Sequence, residues 1–415
     1  MAQARRISAC RLCSAVDLHE IIDFGAVPLG NNLQQTQSAA RAAARYPLKL
    51  NRCGQCGHFQ LGDAVAPEEL YATNYTYLSG IGPSFVRHFD AYADWVAATC
   101  DLPKGALVVD VGSNDGTCLA AFRARGFKVC GVDPAALPAG IANQNGIDTI
   151  NGFFDSAVVD RIKAKYGAAD FVTSHNVLAH VDDLRATFAD IHALLKPAGR
   201  FCFEVGYFRE VLKNNFFDTI YHEHLDYHHA APLVRHLAAV GFAIEDISVN
   251  PVQGGSLRVL CRKADAGAVS ASAQAFLDAE RSSILNDAEY LGNWRHEIDA
   301  RMTRFATMLR ERVREKRRVA GFGAPTKATL LMQMAGLGND DIAYVAEDNV
   351  LKTGRYLPAT GVPILPTPHL LSNPPDVLVI FAWNFADDII GKIRGKFVHP
   401  VEVVIPLPEA RIVQL

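Results

Sequence analysis

No uncharged apolar run in the 415-residue sequence reaches the roughly 18 residues that a membrane-spanning helix needs. The opening stretch, MAQARRISACRLCSA, holds no apolar core of signal-peptide length. An excess of one charge is also missing, because 41 Lys and Arg face 44 Asp and Glu for a net charge of −3. That balance argues against whole-chain electrostatic attraction to nucleic acid or to an anionic membrane. No heptad seam stands out, so a monomer is expected. What is present, 49% hydrophobic and 20% charged residues, is globular composition, and the length accommodates two or three domains with cores of their own. The expectation is a soluble, cytoplasmic, multidomain protein whose partner is a small molecule.

Nine cysteines divide into two groups. Cys100, Cys118, Cys130, Cys202 and Cys261 stand singly among apolar neighbours and read as small buried hydrophobes. Cys10-Arg-Leu-Cys13 and Cys53-Gly-Gln-Cys56 are two C-x2-C knuckles separated by 39 residues. Each knuckle turns two thiolates toward one point, and two knuckles supply the four sulfurs of a closed, tetrahedral, structural zinc site. A redox pair needs no such twin. The segment between them reads as loop-rich with one short helical stretch.

From Ala106, the sequence ALVVDVGSNDGTCLAAFRARGFKVCGVDP reads as strand, Gly-rich turn, helix and strand. Its first strand has the unbroken apolar character of a buried parallel strand. Gly112, Asn114, Asp115 and Gly116 form the turn, and Asp133-Pro134 follows Gly112 by about twenty residues, where an acid meets ribose hydroxyls in open α/β sheets. The G-x-G-x-x-G spacing of a pyrophosphate site is lacking. Asp115 would repel a pyrophosphate but is compatible with a cationic methionine moiety, which favours S-adenosylmethionine over a dinucleotide. A fourth strand then runs into the loop of His175, Asn176 and His180, and KPAGRFCFEV reads as the fifth. Strand ends place Asp133, His175, Asn176 and His180 around one crevice. Residues 85–205 resemble class I methyltransferases, with S-adenosylmethionine as the implied cofactor.

Residues 220–229, Ile-Tyr-His-Glu-His-Leu-Asp-Tyr-His-His, hold four of the fourteen histidines. The zinc-protease pattern H-E-x-x-H is absent. A proton-transfer cluster fits better, since a histidine is a base near neutral pH and a nearby acid and phenol can orient it and stabilise an oxyanion. A solvated polar turn is the plainer alternative. His228 and His229 read as ordinary loop residues, and His222 and Asp226 carry no assigned role.

Together the paired knuckles, Tyr75-Thr76-Tyr77-Leu78-Ser79-Gly80, VDVGSNDG, SHNVLAHV, YHEHLDY, and the carboxy-terminal GFGAPTKATLL and EDNVLKTGRYLPATGVPI resemble the sugar nucleotide C-methyltransferases. Those enzymes add a methyl group to C3 of a 4-keto hexose, and the resemblance spans nearly the whole chain. It implies that Tyr221, Glu223 and His224 are the catalytic signature and that His180 is a second active-site histidine. It also implies that Tyr75 or Tyr77, with Tyr75 favoured, faces the substrate alongside Ser79. The implied chemistry is removal of the C3 proton by His224, with Glu223 fixing its orientation. Tyr221, His180 or Tyr75 then donates to the 4-oxygen of the enolate. Order along the chain leaves open which histidine is the base.

The stretch 271–316 carries Leu291, Trp294, Ile298, Met302, Phe305 and Leu309 at helical spacing and reads as one or two long helices. A second Rossmann-like domain follows. Its GFGAPTKA turn lacks a nucleotide fingerprint, and the resemblance makes this domain part of the substrate pocket. Lys327, or Lys352 or Arg355, could meet a pyrophosphate there, although solvated cations fit equally. GSLRV, around Gly254–Val259, reads as a strand between domains. The expected architecture is α/β: residues 1–70 binding zinc, 71–264 forming a class I methyltransferase domain, and 265–415 a second Rossmann-like domain. An O- or N-methyltransferase is the alternative, with His224 deprotonating a hydroxyl; a zinc-knuckle scaffold and an oxidoreductase are more distant ones.

Overall fold

The computed structural model describes residues 4–66, 69–70, 78–264 and 267–415. Tyr75 and Tyr77 therefore lie outside the described residues. No helix among those described is long and apolar enough to cross a membrane.

Strands β1 (Ala4–Arg6) and β5 (Asp63–Val65) pair antiparallel, framing a sheet in which β2 (Leu18–Pro28), β3 (Arg45–Cys53) and β4 (Phe59–Leu61) run antiparallel. This corrects the loop-rich expectation for the segment between the knuckles. Gly25 and Pro28 look like turn residues, yet Gly25 sits at φ +75° in a register shift between Asp23 and Ala26, so the strand bends and continues. The expected short helix is present at Gln37–Arg41, capped by the Thr36 hydroxyl accepting from the Ala39 amide.

The central sheet contains β6 (Leu107–Val111), β7 (Lys128–Asp133), β8 (Thr149–Asn151), β9 (Ala169–His175), β10 (Leu195–Gly206), β12 (Phe242–Asn250) and β13 (Ser256–Lys263) in the order β12-β13-β10-β9-β6-β7-β8. Strands β6 to β10 are parallel to one another, and β13 is antiparallel to both β10 and β12. This is the class I methyltransferase arrangement. Its order reverses between β6 and β9, which opens a crevice at their carboxyl ends. GSLRV belongs to β13 and is internal to this sheet, not a strand between domains. The two-residue β11 (Asp226–Tyr227) leaves this sheet to pair with β4, so the histidine-rich segment is fastened to the amino-terminal sheet.

Helices Ala271–Arg281 and Ala288–Arg314 follow, the second burying the six expected apolar residues along one face. The last sheet, β16-β15-β14-β17-β18-β19, comprises β14 (Val319–Phe322), β15 (Val345–Glu347), β16 (Ile364–Pro366), β17 (Val377–Ile380), β18 (Glu402–Ile405) and β19 (Arg411–Gln414). It is parallel except for β19, the expected second Rossmann-like sheet. One continuous apolar core runs through all three regions.

Candidate active site

The Gly-rich turn follows β6. Gly112 has φ +76°, and a Cβ there would fall 2.1 Å from the Val177 Cγ2 atom, so only glycine fits. The Asp133 carboxylate at the end of β7 accepts from the Asn114 amide at 2.9 Å and the Ala135 amide at 2.8 Å. Burial raises its pKa. The Pro134 carbonyl accepts from the Asn151 side chain at 3.0 Å. Asp115 accepts from the Gly80 amide at 2.8 Å and the Thr117 hydroxyl at 2.6 Å, while the Asn114 side chain accepts from the Ser79 amide at 2.9 Å. Ser79, expected at the substrate, is thus fastened by its main chain to the cofactor turn. Asn176, at φ +56°, is tied to β10 through the Glu204 carbonyl at 2.8 Å.

His175 departs from expectation. Its ring packs edge-on against Phe89 and Tyr92, with centroids at 5.0 and 4.6 Å, beside Cys118 and Glu204. Burial lowers its pKa to about 4. It belongs to the packing beneath the crevice. Cys118 and the other four single cysteines are buried, as expected.

In the YHEH segment, His224 Nδ1 donates to the Thr219 carbonyl at 3.0 Å. A carbonyl only accepts, so this bond fixes the tautomer and leaves Nε2 a lone pair. The Tyr221 hydroxyl donates to that lone pair at 2.8 Å. The His180 ring lies 4.7 Å from the His224 ring, centroid to centroid. Burial drives the His224 pKa well below its ordinary value, with His180 and Lys327 adding to the effect, and burial lowers His180 to about 4. Both shifts favour the neutral imidazole.

The Glu223 carboxylate meets the amino-terminal loop, while Thr219 and Tyr221 hold the His224 ring. Asn31 donates to the two Glu223 carboxylate oxygens at 3.2 and 3.3 Å. Burial raises its pKa to about 7, opposed by Asn31, the Lys352 charge and a hydrogen bond from Thr326. The packing of the amino-terminal loop against the carboxy-terminal region is tight here, because a Cβ on Gly30 would meet the Thr326 carbonyl oxygen at 2.3 Å. Leu29, Asn31, Asn32, Glu69, Leu70 and Glu223 line a small cavity at this point. Asn31 carried no advance signal beyond the Gly30-Asn31-Asn32 tripeptide.

Lys327 does not stand on the surface awaiting phosphate. Its Nζ donates to the Asn384 side chain at 2.8 Å and lies 3.9 Å from the Trp383 ring centroid. The Trp383 indole donates to Asp218 at 2.6 Å. Burial lowers the Lys327 pKa to about 8, with Asp218 opposing, and burial raises Asp218 to about 6. Lys352 donates to the Ala324 carbonyl at 2.9 Å. The tail of the signature is buried rather than looped. His222 donates to the Tyr46 carbonyl at 3.3 Å, His228 packs near His58, and the His229 ring lies between the Gly57 carbonyl and Glu280.

The four knuckle sulfurs converge. Cys10 and Cys56 stand 3.5 Å apart, Cys13 and Cys53 3.6 Å, and all four ligand atoms lie within 4.8 Å of one another with no disulfide. A tetrahedron with zinc–sulfur bonds of ~2.3 Å has sulfurs about 3.8 Å apart, so the set fits a closed zinc site.

Three family profiles match successive parts of the chain. A family profile described as zinc binding matches residues 10–71, one described as a methyltransferase domain matches 85–247, and one described as a C-methyltransferase C-terminal domain matches 251–408. The C-methyltransferase NovU of Streptomyces niveus is 34% identical over 410 residues, covering 99% of this chain and 97% of NovU. An uncharacterized methyltransferase of Mycobacterium sp. (strain JLS) is 35% identical over 107 residues, 25% of this chain and 40% of that protein. The solved structure of magnesium protoporphyrin IX methyltransferase from Synechocystis PCC 6803 with bound SAM covers 43% of this chain and 79% of its own, at 19% identity and a TM-score of 0.33.

Proposed function

The chain belongs to the S-adenosylmethionine-dependent C-methyltransferases with a zinc-binding amino-terminal region, and from that premise we propose that it methylates C3 of a nucleotide-linked 4-keto sugar through an enolate formed by His224. The observation that carries this reading is the His224 ring itself, its Nε2 lone pair held by the Tyr221 hydroxyl and its Nδ1 by the Thr219 carbonyl.

Bound S-adenosylmethionine supplies an electrophilic methyl group, and Gly112, Asn114, Asp115, Gly116, Asp133, Pro134 and Asn176 are the residues that would hold it. In this reading, Nε2 of His224 takes the C3 proton, the C–H electron pair becomes the C3–C4 double bond, and the carbonyl π pair moves onto the 4-oxygen. Protonated Nε2 then becomes the donor to the Tyr221 oxygen. The Tyr221 O–H is released to donate to the enolate oxygen, so one hydrogen bond reverses as negative charge appears beside it. His180, packed against His224, is the second donor. Glu223 and Asn31 line a small cavity, Lys327 acts on His224 through its charge, and Tyr75 and Tyr77 keep their substrate-facing assignment. Cys10, Cys13, Cys53 and Cys56 hold structural zinc with no open coordination position. The three working units are residues 1–70, 71–264 and 265–415.

The test is methyl transfer to a panel of 4-keto nucleotide sugars in deuterium oxide, read by NMR. The expected product carries the new methyl on C3 and has lost the original C3 hydrogen. A methyl group on oxygen or nitrogen, or a C3 hydrogen retained through the reaction, would overturn the reading.

A further inference from the structure

Arg11 lies inside the first knuckle, between two cysteines, yet its side chain reaches away from them into the methyltransferase region. The guanidinium is almost wholly enclosed, with 7% of the side chain exposed and none of its partner Asp226. Its Nε donates to both Asp226 carboxylate oxygens at 3.0 Å, and its Nη2 donates to the Val181 carbonyl at 2.5 Å. Asp226 also accepts from His58, the residue two positions beyond Cys56, at 2.8 Å. At its other end the Arg11 amide donates to the Gln60 side chain at 2.8 Å, and Gln60 sits opposite Asp226 in the β4–β11 ladder.

These partners occupy informative places. Val181 follows His180 in the chain, and Asp226 stands two residues after His224. The loops are also joined directly, since the Leu225 amide donates to the Ala179 carbonyl at 2.6 Å. One cation therefore grips the main chain beside one histidine and the side chain beside the other, where their rings are 4.7 Å apart. A planar guanidinium with several fixed donors suits such a two-ended grip, and a single ammonium does not.

We infer that Arg11 is a positioning residue: the knuckle holds it in place, and through Val181 and Asp226 it fixes the spacing of His180 and His224. The inference rests on the proposed catalytic use of those histidines. On this view the cysteine knuckle serves the reaction as well as the fold, because a displacement of about 1 Å at reacting groups is enough to lower turnover about 100-fold.

The test compares the zinc-loaded full chain with Arg11→Gln and Arg11→Lys. In Arg11→Gln, bound zinc by metal analysis should stay near one per chain, and KM for S-adenosylmethionine should change less than about threefold. The kcat should fall on the order of 100-fold. Arg11→Lys keeps the charge beside Asp226 but cannot also reach Val181, so it should recover only part of that loss. A second readout needs no substrate: the imidazole NMR resonances of both His180 and His224 should shift in the two variants. Unchanged kcat with zinc retained would overturn the inference. So would full recovery in Arg11→Lys, since charge alone would then suffice, or unmoved histidine resonances. If the wild type methylates none of the keto sugars, it is the functional reading that fails, and the resonances still judge Arg11.

Discussion

The two Rossmann-like sheets share the strand order of their five parallel strands and differ in how each treats the acid at the end of its second strand. In the central sheet, Asp133 accepts two main-chain amides, from Asn114 and Ala135. A carboxylate has about four acceptor sites, so two remain for the hydroxyls of a ligand. In the carboxy-terminal sheet, Glu347 accepts three, from Ala324, Asp348 and Asn349 at 2.8 to 2.9 Å. There Lys352 also caps the Ala324 carbonyl. The first turn leaves two acceptor positions open, and the second leaves one, having spent three on holding its own loop. Fold repeats without function repeating, because function resides in what the loops leave unsatisfied.

The largest expected effect tests whether chemistry lies between the sheets rather than in either turn. His224→Ala should lower kcat by about 10³–10⁴-fold, the upper range for loss of a general base. The dissociation constant for S-adenosylmethionine, measured by calorimetry, should stay within a few-fold. A variant that retains most of its turnover would remove His224 from the mechanism.

The next effect contrasts equivalent glycines. Gly112→Val places carbon where Val177 already stands and imposes φ +76° on a β-branched residue; methyl-donor affinity should fall about 100-fold or more. Gly323, at φ +85°, is crowded by Ala382 at 2.7 Å, so Gly323→Val should lower the melting temperature while leaving the donor affinity of the folded fraction unchanged. Equal loss of affinity in both variants would erase the distinction between the sheets.

A third effect is a pH dependence at the seam between them. Burial raises the folded-state pKa of Glu223 from 4.5 to about 7. The native state therefore binds this proton more tightly than the unfolded chain does. Its contribution to stability is full below pH 4.5, is lost as the pH rises toward 7, and is constant above. The span corresponds to at most about 3 kcal/mol. Urea midpoints at pH 5 and pH 7.5 should drop more for the wild type than for Glu223→Gln; parallel curves would place Glu223 in a wetter, unperturbed setting.

How much of this was legible beforehand follows the range of the forces involved. Strands β6 to β10 and the Gly112–Gly116 turn announce themselves in contiguous apolar runs and a local backbone requirement. The knuckles do so by spacing alone. The hairpin of β2 and β3 was hidden because Gly25 marks a bulge as readily as a turn. The two-residue β11 exists only because β4 offers an edge. Thr219 holds His224 through a carbonyl, a group every residue owns, so no side-chain pattern could reveal it. Asn31 meets Glu223 because Gly30 lets the amino-terminal loop close on Thr326, a contact made by the assembled domains. His175 and Lys327 lie deeper than the sequence suggests for a related reason: a polar residue at a strand end or helix start looks open to ligand until Phe89 and Tyr92, or Trp383 and Asn384, are brought against it.

The smallest expected effect is the sharpest test of the comparison between turns. If Glu347, with three of its acceptor positions taken by its own loop, has no room for both hydroxyls of a ribose, a nicotinamide dinucleotide at millimolar concentration should leave the melting temperature unmoved. S-adenosylmethionine should raise it in proportion to the logarithm of concentration over its dissociation constant. Glu347→Gln replaces a carboxylate that accepts three amides with a group having one acceptor oxygen and an NH2 facing donors. It should therefore cost a few degrees of melting temperature without altering donor affinity or turnover per folded molecule. A dinucleotide-dependent rise in the wild type that vanishes in Glu347→Gln would mean the three amides yield to a ligand. The carboxy-terminal sheet would then be a second nucleotide site, and counting free acceptor positions would no longer separate a working turn from a structural one.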